Sequence, residues 1–165
     1  IRYFGLVNYL DGYTGNLKLF LDETSQKLNS EWDTLENIVR GQGLELENAI
    51  QVTWEIFSED AFRKWNGKDF ERRFNRAVFD VMVYFFRDKN TQQKALGNRH
   101  AVIEGFKKLC EQPAPFRTSL ETTTKSIGAL STRLQLWGQR LSVILDIDVP
   151  IPKIDNNTGR ITVAS

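Results

Sequence analysis

Soft metal ligands are almost missing from this chain: its 165 residues include one cysteine, Cys110, and one histidine, His100. A lone cysteine excludes an internal disulfide framework, and one Cys with one His leaves too few ligands for a zinc site. That usage fits a reducing cytoplasm. Proline is scarce as well, and its four residues fall where helical periodicity stops, at Pro113 and Pro115 and again at Pro150 and Pro152. Charge of one sign is not in excess, with 22 basic against 21 acidic residues. At a net +1, any pull toward nucleic acid or an anionic membrane has to come from a local cluster. The apolar runs are too short to span a bilayer, and the start has no basic leader or cleavage pattern. The chain opens on Ile1 and enters a helical pattern at once, so a fragment of a longer protein is expected.

Aromatic residues, in contrast, make up 12% of the chain, which suits one domain with a sizeable core. They concentrate in Lys68–Arg87, where Phe70, Phe74, Ala77, Val78, Val81, Met82 and Phe85 recur at helical steps. Phe79, Tyr84 and Phe86 add apolar surface off that stripe. A helix so furnished is expected at the centre, covered on more than one side, with Phe74 and Val81 both buried. Before it, Ile1–Leu10 reads as one helix, broken by Asp11-Gly12. Asn16 is an N-cap for the next, whose face is Leu17, Phe20, Leu21, Thr24 and Leu28. The short loop makes this a helix–turn–helix of structural kind, since its second helix carries only Lys18 and Lys27 as cations. Glu31–Phe57 is helical through Trp32, Leu35, Ile38, Val39, Leu46, Ala49, Ile50, Thr53 and Ile56. Gly41 and Gly43 leave open whether it is one helix or two.

A loop is expected over Ser58–Gly67, and one further helix over about Thr91–Glu111, stopped by Gln112-Pro113-Ala114-Pro115. The hydroxyl-rich Thr118–Thr124 reads as a helix start, and the last strong helix covers about Lys125–Leu145. The whole reads as all-α, about six helices over 1–145, with an extended tail over 146–165. The tail holds a turn at Asn156-Asn157-Thr158-Gly159 and a short strand at Arg160–Val163.

Constellations that carry chemistry are missing. His100 reads as a surface histidine, Gly41-Gln42-Gly43 is too short for a phosphate loop and lacks its lysine, and no strained serine turn marks a nucleophile. Glu71 and Asp80 lie nine apart, so on a helix they face different sides and make no acid–base pair. What stands out is a basic collar around the start of the central helix: Arg63 and Lys64, then Lys68, Arg72, Arg73 and Arg76. On a helix, Arg72 and Arg76 share a face and Arg73 sits a quarter turn away. Two readings stay open: a solvated face paired with Asp69, Glu71 and Asp80, or arginine forks for phosphate oxygens. In the second, the nucleic-acid-binding residues are Arg63, Lys68, Arg72, Arg73 and Arg76. Arg133 and Arg140, seven apart on the last helix, form either a second basic ridge or internal ion pairs.

Several short segments, in order, resemble the bacterial family typified by the GmrSD modification-dependent restriction enzymes. They are Arg2-Tyr3-Phe4, Tyr13-Thr14-Gly15-Asn16-Leu17 with Phe20-Leu21, Ile56-Phe57, Ala61-Phe62, Phe74-Asn75-Arg76-Ala77-Val78-Phe79-Asp80, Thr122–Thr124 and Arg133. The resemblance implies a genome-defence protein in which a ParB-like core handles nucleotide or DNA and a helical half packs on it. The matched segments are similar to the helical half. The glycine–glutamine–arginine run of the core has no counterpart here, and one histidine cannot furnish the HNH nuclease of some relatives. No catalytic residue, metal or cofactor carries over, so this chain is expected not to be an enzyme. Its expected partners are a ParB-like domain of the same longer protein, DNA, and a second copy of itself, with no membrane. A pure protein–protein interaction or oligomerisation module is the competing reading.

Overall fold

The computed structural model describes residues 1–112, 115–122, 124–155 and 157–162. Its centre is α4, Arg76–Phe86, in which nine of eleven residues are buried, so the helix is covered all round. Around it lie α1 (Arg2–Asn8), α2 (Leu17–Ser30), α3 (Trp32–Phe57), α5 (Lys89–Gly97), α6 (Arg99–Glu111), α7 (Pro115–Glu121) and α8 (Ile127–Leu145). The architecture is all-α, with eight helices among the described residues rather than about six. Two local differences account for the count. The pattern expected as one helix over Thr91–Glu111 is split at Asn98, and α7 stands where a stop was expected. Proline is tolerated in the first turn of a helix, so Pro115 opens α7. The hydroxyl-rich stretch therefore ends α7 instead of starting α8, whose N-cap is Ser126 accepting from the Ala129 amide at 3.1 Å. Pro113, Ala114, Thr123, Asn156 and Val163, named in those expectations, lie outside the described residues.

Asn16 caps α2 as its sequence position suggests, its Oδ1 accepting from the Leu19 amide at 3.1 Å. Gly5 lets α1 approach α2 closely, since a Cβ there would sit 2.8 Å from the Phe20 ring. α3 runs unbroken through Gly41 and Gly43 for 26 residues. Its fully buried positions are all late, Ala49, Val52, Thr53, Ile56 and Phe57. Trp32, Ile38, Leu44, Ile50 and Trp54 stay exposed. On α8, Leu130, Leu134, Trp137 and Leu141 face inward, and Gly138 admits the Phe85 ring of α4, which a Cβ would meet at 2.8 Å. After Asp146, in the left-handed region at φ 52°, the chain runs without regular structure and then pairs β1 (Lys153–Ile154) antiparallel to β2 (Ile161–Thr162). Val149 and Ile161 are buried in the same core cluster as the helices.

The main correction falls before α4. The helix starts at Arg76, not at Lys68, because Asn75 caps it: its Oδ1 accepts from the Ala77 and Val78 amides at 2.9 and 3.1 Å. Residues 62–75 fold instead as a hairpin-like loop. Asn66 accepts from the Lys68 and Asp69 amides at its tip, Gly67 takes φ 99°, and Trp65 bridges Phe70. The base closes through Glu71 N–H to Lys64 O at 2.8 Å and Asn75 N–H to Phe62 O at 2.9 Å. Val81 is buried as expected, but Phe74 is 57% exposed.

Candidate functional site

The loop between α3 and α4 gathers the cations that the sequence singled out. Arg63 is half-buried and lies 3.4 Å from Asp60. Lys68 is exposed at the hairpin tip, Arg72 and Arg73 are exposed in the returning limb, and Arg76 is exposed as the first residue of α4. Only Arg76 is helical, so Arg72, Arg73 and Arg76 do not share the helical geometry expected of them. Among the described residues, Lys68, Arg72, Arg73 and Arg76 form no ion pair.

The carboxylates expected to neutralise them are engaged elsewhere or stand apart. Glu71 lies 2.7 Å from Lys64, which is buried and also meets Glu121 at 2.5 Å. Burial alone would lower the Lys64 pKa, but the two carboxylates outweigh it and the pKa is raised. Lys64 is thus a structural tie from the hairpin to α7 and no part of an exposed collar. Trp65 makes a second tie, its Nε1–H donating to Glu111 Oε1 at 2.7 Å, with Lys107 Nζ 4.7 Å above its ring. A third tie is Asn75 Nδ2–H to Leu120 O at 3.2 Å. Asp69 pairs with no cation among the described residues.

Asp80, the remaining candidate, is a buried residue of α4 itself. Arg2 grips it with Nε at 2.6 Å and with Nη2, while Arg133 Nη2 stands 3.6 Å away. Arg133 is buried and donates mainly to carbonyls, Thr124 O at 2.8 Å and Ser119 O at 3.3 Å. Its Nε and the Trp137 Nε1 have no hydrogen-bond partner among the described residues. Desolvation brings the Arg133 guanidinium down to about 10, opposed by Asp80, while Arg2 ends above its ordinary value because Asp80 outweighs its burial. Both remain cations at neutral pH. Arg133 is therefore an internal ion and no ridge residue, whereas Arg140 is half-buried on α8.

Sequence reasoning missed the aromatic side of this loop. Phe62, Phe74 and Phe79 form a triangle with ring centroids 5.1 to 5.8 Å apart and tilts of 47° to 54°. Phe62 has φ 60°, a left-handed conformation that costs a residue with a Cβ about 1–2 kcal/mol. Its carbonyl is held by the Asn75 amide, so the two ends of the hairpin bring Phe62 and Phe74 side by side.

His100 is exposed, and no three His, Cys, Asp or Glu side chains among the described residues converge as a metal site. Cys110 is a core thiol that burial pushes up to about 12. A cleft of about 460 Å³ between α4, α5 and the segment after α8 contains Tyr84 under Arg87, at 4.7 Å. Its Asp88 carboxylate is occupied in capping α5 through Thr91. No helix of the described residues is long and apolar enough to cross a membrane. Comparison with family models, curated proteins and solved structures gave no match to this chain.

Proposed function

We propose that this chain is a non-catalytic helical module that grips nucleic-acid backbone through Arg63, Lys68, Arg72, Arg73 and Arg76. The observation that carries this reading is the set of exposed arginines at the head of α4, which pair with no carboxylate among the described residues. Of these only Arg76 lies in the first turn of α4, where a cation at the positive end of the macrodipole is disfavoured by about 0.3–1 kcal/mol. A phosphate placed there would relieve that repulsion and accept from guanidinium forks. Following the family resemblance, we place the module in a cytoplasmic prokaryotic defence protein. It would support a ParB-like core, which would do any chemistry, and help that core hold DNA.

The test is an Arg72→Ala/Arg73→Ala/Arg76→Ala variant, with duplex binding measured by fluorescence anisotropy over a salt series. Binding should weaken for all sequences alike, and the slope of log K against log salt should flatten by about one unit per lost contact. Stability should hold, since these side chains make no ion pair among the described residues. Unchanged duplex binding by the variant would refute the reading.

The exposed Trp32, Ile38, Leu44, Ile50 and Trp54 of α3 favour the second reading, a protein–protein contact surface. Of these, Ile50 and Trp54 adjoin one turn apart on α3, and adjacent large apolar side chains on a surface helix are what an interface core uses.

A further inference from the structure

We infer that the Phe62–Phe74–Phe79 triangle is a stacking platform for an unpaired base, so that the ligand of this loop is single-stranded nucleic acid. The inference rests on the proposed phosphate grip and adds to it the class of ligand. Phe74 and Trp54 are the two aromatics that the fold leaves more than half exposed, although the chain buries most of its other rings. Phe74 is not a loose surface ring: Phe62 and Phe79 brace it, and the hairpin beneath is tied to α6 and α7 through Trp65, Lys64 and Asn75. Phe62 is held at positive φ to make the triangle, and strained backbone of this kind clusters where structure serves binding.

Charge complementarity decides the occupant. From Arg72 to Phe79 the chain carries three arginines and no acidic residue; of the flanking carboxylates, Glu71 is held by Lys64 and Asp80 is buried against Arg2. A ligand for this surface must therefore present negative charge beside flat apolar faces. Single strands do so, because phosphates alternate with bases whose faces are free to stack on aromatic rings. A duplex offers the phosphates but keeps its base faces inside. Asn75, the amide between Phe74 and Arg76, is engaged with Ala77, Val78 and Leu120. No polar side chain of the Arg72–Phe79 segment is thus left to read a base edge other than the arginines, and recognition should be tolerant of sequence.

The experiment compares a labelled oligothymidylate with a duplex of equal length, binding each to the wild-type chain and to four variants. The wild type should prefer the single strand. Phe74→Ala should weaken single-strand binding about 5- to 150-fold, the range that loss of one base–aromatic stack gives, and leave the duplex unchanged. Phe74→Leu, apolar but without a π face, should lose as much, and Phe74→Trp should retain binding. Thermal melts of each variant check the fold. Equal affinity for the two ligands, an unaffected Phe74→Ala, or full binding by Phe74→Leu would overturn the platform. The Arg72→Ala/Arg73→Ala/Arg76→Ala variant separates the two levels. If it weakens both ligands while Phe74→Ala weakens neither, the phosphate grip stands and the platform fails. If it weakens neither, both fail, and the patch is left to a protein partner.

Discussion

Replacing Asp80 with Asn should be among the most damaging single changes in this chain, because of the charge it leaves behind. Wild type holds Arg2, Asp80 and Arg133 in one cluster, with Asp80 and Arg133 almost wholly buried and the Arg2 side chain 24% exposed. Asp80→Asn keeps the shape but removes the only negative charge. The two guanidiniums would then face each other unscreened, and two like charges about 6 Å apart repel by on the order of 3 kcal/mol at an effective dielectric of about 20. The same figure follows from the cost of breaking a buried pair on one side, about 3–5 kcal/mol. For a chain of this length that is a drop of roughly 6–20 °C in Tm. Arg2→Met is the informative control. It leaves Asp80 facing Arg133, a neutral pair that needs to close only the 3.6 Å gap, and should cost about 1–3 kcal/mol. The double variant should show a coupling on the order of 1–3 kcal/mol. Urea denaturation at pH 7 with two probes measures all four states of the cycle. If Arg2→Met proves as costly as Asp80→Asn, residual buried charge is not what governs this cluster, and the reasoning fails.

Two further changes test the packing. Phe86→Ala, at a fully buried position of α4, should cost about 3–5 kcal/mol in a denaturant melt, whereas Phe74→Ala should cost about 1 kcal/mol, the value of its aromatic contacts. Equal losses would mean that Phe74 is not the exposed ring described above. Gly138→Ala should destabilise by about 1–3 kcal/mol, because the new Cβ meets the stiff Phe85 ring at 2.8 Å. Gly105→Ala should cost less, since the atom in its way, Ile144 Cδ1, is the far end of a flexible side chain; the reverse order would refute this account of the α4–α8 contact.

Where the sequence spoke clearly, one local signal acted alone. Asn16 caps α2, and Ala77–Phe86, apolar but for Asp80, lies at the centre. The errors came where two signals competed. Phe70 and Phe74 continue the apolar period of α4 upstream, so periodicity extended the helix through them. Asn66-Gly67 and the Asn75 cap carried the contrary message, and they won because hairpin and cap satisfy backbone amides that a longer helix would have satisfied otherwise. Asn98 is a weak breaker beside apolar steps running from Ala95 to Val102, so the α5–α6 split left little trace in composition. Pro115 is ambiguous by nature, able to follow one helix or open the next.

The candidate site was legible in its charges and illegible in its geometry. Each arginine of the collar could be read directly, but whether it was paired depended on carboxylates whose partners lie far along the chain. Asp80 is bound 78 positions away, at Arg2. One signal was nonetheless present: Asp80 is the only acidic residue between Arg76 and Phe86, in a segment too apolar to face water. A charge in such a place must find a buried counter-ion, so it was never available to the exposed arginines. Arg133, set between Leu130 and Leu134 on an inward face, obeys the same logic from the other side. With Asp80 held inside by Arg2 and Glu71 held by Lys64, Arg72, Arg73 and Arg76 are left without internal partners among the described residues. A change that freed Asp80 to reach the surface would weaken the core and mask the collar together.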